Sequence, residues 1–594
     1  MKGEGSNTKL RSARPNYTIR KVFMRSSEWF NGNDETAVSH RVVMRSVGLE
    51  VPADNKKPII GIADSSSDLN PCNLPLRALV EDVKAGILEA GGLPVAFPVI
   101  SLGEDLMKAS SMLYRNLLSI EIEENLRSYP IDGVVLLANC DKSVPGALMG
   151  AFSANLPTIM VTAGARPAPF YKGKKIGTGT DLWRALDDWR AGRMSDEQWR
   201  EFEECLSCGL GSCNTMGTAS SVALMTEMLG FMLPGSGTIP ANTEERRAAA
   251  RASGKRIVEM VHEDLTPSKI ATPASFRNVI RLLHAVGGST NALVHIFACS
   301  GRIGGEITVN DINTLGQRIP VLADVEPSGK FLIQDFHQAG GLPQLLKRIE
   351  KHMELDAICA TGKKWSEEIA QEVIPNSAIR DIGNPLRENG AFVLLKGNIA
   401  PNGTLLKVSA ASPELFNHSG PAFIFEGYEE MRLKLEDPDL PVTKDSVLIL
   451  RGCGAVGVPG MPEWGMILIP KKLAMAGVKD MIRITDSRMS GTSFGVCLLH
   501  VSPEAAVGGP LALIENGDII ELNVAERSVN VRLSDAELCE RKAKWKGFHS
   551  EHLRGWPLLY QQHVLQPDQG CDLDFLTAPT AAHRRFIPPV VGRS

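Results

Sequence analysis

Short apolar runs, each emptying into a polar loop and then an amphipathic stretch, organise the first third of the chain. Ile59–Ala63 is the first run. After its loop, Leu76, Leu79, Val80, Val83 and Ile87 recur at helical spacing, which predicts a helix over Leu74–Ala90 stopped by Gly91 and Gly92. Leu93–Ile100, Gly133–Leu137 and Pro157–Thr162 repeat the strand signal. These runs are continuously apolar and do not alternate, as in strands buried on both faces of a parallel sheet. Strand–loop–helix alternation of this kind predicts a doubly wound α/β sheet, which binds ligands at the carboxyl ends of its strands.

The pattern then changes twice. Residues 170–205 are polar and carry Trp183, Trp189 and Trp199, which reads as a helical insertion or lid. Residues 214–380 read as mostly helical, with Gly287–Asn291 (GGSTN) opening a helix. Near residue 390 strand signals return, broken by Pro401-Asn402-Gly403 and by Asn516-Gly517, a hairpin cue between apolar runs. The predicted division is an N-terminal arm over 1–37, an α/β domain over 38–389, and a mostly β, barrel-like domain over 390–594.

With 594 residues, 43% of them hydrophobic, a sizeable core is available. A net charge of −4 with both signs mixed asks for neither nucleic acid nor an acidic membrane, and no apolar run reaches membrane-span length. The eleven cysteines are scattered and odd in number, which argues against a disulfide framework and for a reducing, cytoplasmic compartment. Lys2, Lys9, Arg11, Arg14, Arg20, Lys21 and Arg25 make the start basic. It lacks a secretory apolar core and an amphipathic pattern, so an arm, disordered or wrapping a partner subunit, is expected in place of a targeting segment.

Candidate chemistry concentrates in the loops. Cys72 (SDLNPCN), Cys140 (LLANCDK) and Cys213 (LGSCNTMG) each precede a predicted helix, where thiolates are stabilised. Three thiolates from three loops suggest a metal or iron–sulfur site with one position open to substrate. Cys205 and Cys208 form a CxxC pair without a second pair nearby, so a closed zinc site is weakly supported, and Cys208 is the alternative third ligand. Asp141 and Lys142 follow Cys140 directly. Glu104 follows the second strand, and Glu463 lies in the turn GVPGMPEWG. Carboxylates suit Mg²⁺ and not a soft iron site. Ser490, Thr492 and Ser493 stand among glycines in RMSGTSFG, a loop able to offer hydroxyls and amides to an anionic substrate. No GxSxG elbow indicates a hydrolase.

Together, PCN, CDKSVPGALMG, SCNTMGTAS, LPGSGTIPA, GGSTNALVH, GMPEWG, RMSGTSFG and HVSPEAAVGGPLALIENGD resemble the motifs of the iron–sulfur dehydratases, the family of dihydroxy-acid, phosphogluconate and pentonate dehydratases. The resemblance covers residues 38–580. It implies an α/β domain followed by a β-barrel, with the site between them, in a homodimer or homotetramer. A [2Fe–2S] cluster would sit on Cys72, Cys140 and Cys213. Mg²⁺ would sit on Glu104, Asp141, Glu463 and Lys142, the lysine as a carbamate. Ser493, as its alkoxide, would be the base. SLGED replaces the SDGI-type motif of the branched-chain enzymes, and RMSGTSFG replaces their RFSGG form, so the chain looks like the sugar-acid branch.

The implied reaction dehydrates a 2,3-dihydroxy sugar acid, such as arabinonate, xylonate or gluconate, to a 2-keto-3-deoxy acid. One alternative is a dihydroxy-acid dehydratase of branched-chain amino-acid synthesis. Another is a non-catalytic iron–sulfur or zinc sensor, which would leave Glu104, Lys142, Glu463 and Ser493 without a role.

Overall fold

The computed structural model describes residues 24–577 and 591–592. The basic positions from Lys2 to Lys21 lie outside the described residues. The described part of the expected arm is anchored: Trp29 and Phe30 bury against Val51, Ile59 and Leu93, and the Arg25 guanidinium donates to the Tyr129 and Ile131 carbonyls at 2.6 and 3.1 Å.

The predicted parallel sheet is present. Its strands are β1 (Ile59–Asp64), β2 (Leu93–Pro98), β3 (Gly133–Leu137) and β4 (Thr158–Val161), in the order β2-β1-β3-β4, all parallel. Helices Leu76–Glu89 and Glu244–His262 pack together on the sheet, and Arg115–Ser128 packs on Ser143–Ala154. The first pair touches backbone to backbone. A Cβ on Gly86 would lie 2.0 Å from the Arg251 carbonyl oxygen, and one on Gly254 would lie 2.3 Å from that of Val83. From β1 the chain moves outward to β2, then returns to place β3 on β1's other side. That reversal makes a crevice at the carboxyl ends of β1 and β3, the switch point where doubly wound sheets bind ligands. Cys72 follows β1 and Cys140 follows β3.

The C-terminal sheet has eight strands: β5 (Val393–Leu395), β6 (Gly403–Leu406), β7 (Asn417–Glu426), β8 (Val447–Arg451), β9 (Arg483–Thr485), β10 (Cys497–Ser502), β11 (Ile519–Asn523) and β12 (Ser528–Val531). Their order is β12-β11-β7-β8-β9-β10-β6-β5, with β7 to β10 parallel and the outer pairs antiparallel. A bridge between Lys396 and Ser528 brings the two edges together, so the sheet is barrel-like. Its strands serve two cores. Val447 and Ile449 join the core with Leu395 and Val529, whereas Leu448 and Leu450 join that of Phe423 and Ile467. This explains why SVLILRG shows no alternation.

One turn differs from the sequence reading. Asn516-Gly517 does not join two hairpin strands, because the apolar run before it forms a 3-10 turn over Pro510–Leu513. Asn516 Oδ1 instead accepts from Ile424 N at 2.8 Å, which fastens the turn onto β7. The hairpin is β11–β12, one turn later. Among the described residues, no helix is long and apolar enough to cross a membrane.

Candidate active site

Two buried asparagines set the cysteine loops. Asn73 Oδ1 accepts from the backbone N–H of Asn139 (3.2 Å) and of Cys140 (2.7 Å), while its Nδ2 donates to Ser65 Oγ (2.9 Å) and Ser143 Oγ (3.1 Å). Asn139 Nδ2 donates to the carbonyls of Cys72 (2.8 Å) and Gly164 (3.1 Å). The loops after β1, β3 and β4 are thereby locked side by side. An unpaired buried donor costs about 1–3 kcal/mol. Asn73→Ala orphans two such donors and is expected to destabilise the β3 loop by ~3 kcal/mol. Hydrogen exchange should rise at the Asn139 and Cys140 amides and stay unchanged in the barrel. Unchanged exchange there would contradict the role given to Asn73.

The thiols differ in setting. Cys72 and Cys140 are buried and Cys213 is half-buried. The Cys140 thiol is held well above the ordinary value, first by its hydrogen bond with Cys72 and then by burial. Burial, with the Cys72 sulfur behind it, pushes Cys213 up to about 12. Cys140 and Cys213 therefore favour the neutral thiol, and a metal bound here would displace their protons. Cys208 turns elsewhere, its Sγ donating to the Pro167 carbonyl at 3.2 Å. Cys205 is half-buried at the end of helix Asp196–Leu206.

Beside the thiols stands a carboxylate cluster. Lys142 is fully buried, and its Nζ lies 2.6 Å from Asp141 Oδ2, 2.8 Å from Glu463 Oε1 and 3.3 Å from Glu104 Oε2. Arg488, also buried, donates to Glu463 Oε1 (2.8 Å), the Met461 carbonyl (2.7 Å) and Ser110 Oγ (3.1 Å). Ser111 Oγ donates to Glu104. Burial raises the Asp141 carboxyl to about 6, against the pull of Lys142 and with the push of Glu104 and Glu463. Burial also works against the Glu463 charge, but Lys142 and Arg488 outweigh it and hold that carboxyl below the ordinary value. For Lys142, burial and Arg488 lower the pKa, and the three carboxylates overcome them and raise it.

The site therefore has two adjoining donor sets. Cys140 Sγ lies 3.5 Å from Asp141 Oδ1, so soft sulfur and hard oxygen meet within one dipeptide. Among the described residues, no three His, Cys, Asp or Glu side chains are arranged as a finished coordination sphere. In the carboxylate set, the Lys142 ammonium holds the centre. Three thiols suit an iron–sulfur cluster and three carboxylates suit Mg²⁺, so the donor chemistry fits both groups. A carbamate on Lys142 would replace the central cation by another oxygen donor.

The barrel supplies the opposing wall. Asn291, in GGSTN, donates through Nδ2 to Glu463 Oε1 (2.7 Å), Thr218 Oγ1 (3.1 Å) and the Met489 carbonyl (3.0 Å), tying the serine loop to the carboxylates. A Cβ on Gly491 would sit 2.6 Å from Thr218 N, so only glycine lets this loop lie so close. Ser490 Oγ and Thr492 Oγ1 are 3.0 Å apart. The insertion seals the loop from above: Thr180 Oγ1 donates to the Thr492 carbonyl (2.9 Å) and Trp183 Nε1 to Thr492 Oγ1 (3.3 Å). Ser493 lies beneath, fully buried, with its Oγ among the buried polar atoms that have no hydrogen-bond partner.

A cavity of about 390 Å³ opens between these walls, where Glu104, Cys213, Glu463, Ser490 and Thr492 meet Trp183. Lys108, Arg166 and Thr178 add polar groups to its lining. A larger cavity, about 890 Å³, lies around Gln317, Arg387 and Arg527 and contains none of these residues. The fold thus gathers Glu104, Asp141, Lys142 and Glu463 into one cluster, sets Cys72, Cys140 and Cys213 beside it, and places Ser490 and Thr492 at the cavity. Ser493 stands below the surface, without a hydrogen bond from its hydroxyl to the carboxylates. Sequence reasoning missed Asn73, Asn139, Asn291, Arg166 and Arg488. Asn73, Asn139, Asn291 and Arg488 stood inside quoted motifs (SDLNPCN, LLANCDK, GGSTN and RMSGTSFG), whereas Arg166 lay outside them.

The family profile described as "Dihydroxy-acid/6-phosphogluconate dehydratase N-terminal" matches residues 57–368, and its C-terminal counterpart matches residues 377–571. A 6-deoxy-6-sulfo-D-gluconate dehydratase of Pseudomonas putida is 44% identical over 96% of this chain and 98% of its own length. An L-arabinonate dehydratase of Rhizobium leguminosarum bv. trifolii (strain WSM2304) is 42% identical over 93% and 96%. A dihydroxy-acid dehydratase of Caldanaerobacter subterraneus subsp. tengcongensis is 38% identical over 89% and 96%. With both profiles matched and relatives aligned nearly end to end, this chain belongs to the dihydroxy-acid/6-phosphogluconate dehydratase family.

Proposed function

We propose that this dehydratase removes water from a 2,3-dihydroxy sugar acid of the aldonate type to give a 2-keto-3-deoxy acid. The observation that carries the reading is the junction of the two donor sets at Cys140-Asp141, together with a cavity to which those sets contribute Cys213, Glu104 and Glu463 beside hydroxyls and cations. When bound, a [2Fe–2S] cluster on Cys72, Cys140 and Cys213 supplies a Lewis acid for the departing C3 hydroxyl, and Mg²⁺ on Glu104, Asp141, Glu463 and carbamylated Lys142 stabilises charge developing at the C2 side. Ser493, as its alkoxide, takes the C2 proton and becomes the neutral hydroxyl. Ser490 and Thr492 orient the substrate hydroxyls, and Asn291 and Arg488 fix Glu463. The insertion, through Trp183, helps exclude water.

Among the lining residues, Lys108, Arg166, Thr178, Ser490 and Thr492 offer partners for the extra hydroxyls of a sugar acid, which a branched-chain substrate would leave unmatched. The relatives named for sulfogluconate and arabinonate support the same choice. Eleven cysteines without a disulfide among the described residues support a reducing, cytoplasmic setting, and a homodimer or homotetramer is the assembly we assign.

The test is anaerobic incubation of the loaded enzyme with arabinonate, xylonate, gluconate and a branched 2,3-dihydroxy acid, scoring 2-keto acid. Turnover of an aldonate is expected. Removing Mg²⁺ and Mn²⁺ should abolish it while leaving the visible cluster spectrum intact. Turnover of the branched acid alone would overturn the substrate assignment, and activity surviving thorough chelation would overturn the Mg²⁺ role.

A further inference from the structure

Arg166 follows β4 and is half-buried. Its Nε donates to the Gly211 carbonyl at 3.1 Å, and its Nη2 lies 3.8 Å from Cys72 Sγ. Its backbone N–H donates to the Ser212 carbonyl at 2.9 Å, one residue before Cys213. The same side chain lines the cavity. The guanidinium therefore lies against the Cys72 thiol and on the wall of the same cavity that Cys213 lines.

We propose that Arg166 is a positioning residue for the cluster, a fixed cation that offsets thiolate charge so that the cluster is retained and an anionic substrate can approach it. The inference rests on the cluster reading above. A two-iron core on three thiolates is net anionic and becomes more so on taking up an electron. A nearby cation, and hydrogen bonds to sulfur, therefore raise its reduction potential.

The experiment compares the loaded wild type with Arg166→Lys and Arg166→Gln, all prepared anaerobically. It reads the midpoint potential and the rate of iron loss to a chelator. Arg166→Gln should lower the reduction equilibrium constant about tenfold, equivalent to ~59 mV for a one-electron couple. It should also speed iron loss several-fold. Arg166→Lys keeps the charge and should stay near wild type in potential. An unchanged potential in Arg166→Gln with only KM raised would make Arg166 a substrate contact and overturn the proposal. Equal iron loss in both variants at unchanged potential would make it a mere tether for the Gly211 loop, which also overturns it. A wild type that binds no cluster would overturn the cluster reading, and this inference with it.

Discussion

Ser493→Ala is expected to keep the cluster, the Mg²⁺ and the oligomer, yet lose exchange of the substrate C2 proton with solvent. The side chain is fully buried and its Oγ has no hydrogen-bond partner. Leaving such a group unpaired costs about 1–3 kcal/mol, so its retention in a well-packed loop needs a reason. A free serine hydroxyl is far too weak an acid to work as a base near neutrality. Bound cations lower the pKa of an oxygen by many units, and the Glu463 carboxylate is tied to this loop through Asn291. Positioned proton transfer contributes about 10²–10⁴-fold, and kcat should fall on that scale. If Ser493 only binds the substrate carboxylate, the variant would raise KM and leave kcat nearly intact. That outcome would remove it from the role of base, and Thr492 or a bound water would be next.

Serine in place of Cys72, Cys140 or Cys213 should each abolish the visible iron–sulfur absorption together with activity. A hydroxyl is a hard, weakly acidic ligand in place of a soft thiolate. Losing a metal Lewis acid worth ~4 kcal/mol implies a fall of ~10³-fold in rate. Cys208 gives the contrast. It shares the CxxC pair with Cys205, but its Sγ bonds to the Pro167 carbonyl and it does not line the cavity. Cys208→Ser should retain full iron and sulfide. Full cluster content in Cys213→Ser, with loss in Cys208→Ser, would reverse the assignment of the third ligand.

The parallel sheet was legible because β1, β3 and β4 are buried on both faces and so carry uninterrupted apolar runs. The run of β8 is likewise uninterrupted, although it cannot reveal that Leu448 and Ile449 serve different cores. Asn516-Gly517 misled because dipeptide chemistry specifies a turn and not its partner; the residues before it coil instead of extending. In the site, motif residues on strand-to-helix loops could be picked out singly. Their arrangement could not. Lys142 looks like a surface lysine after a capping aspartate, and only the approach of Glu463 from the barrel, 321 positions away, makes it the centre of a buried ion cluster. Arg488 and Asn291 act the same way, through contacts with no sequence period. Ser493 was visible as a loop hydroxyl, but its burial was not.

The central claim is that the two donor sets cooperate in removing water from carbons 2 and 3 of a sugar acid, without net oxidation. Running the loaded enzyme anaerobically on an aldonate in deuterium oxide, with mass spectrometry of the product, tests this most directly. The account predicts a 2-keto acid lighter than the substrate by one water, before counting one carbon-bound deuterium gained at C3 as the enol tautomerises. A product that has lost hydrogen but kept every oxygen, or one without deuterium at C3, would contradict it.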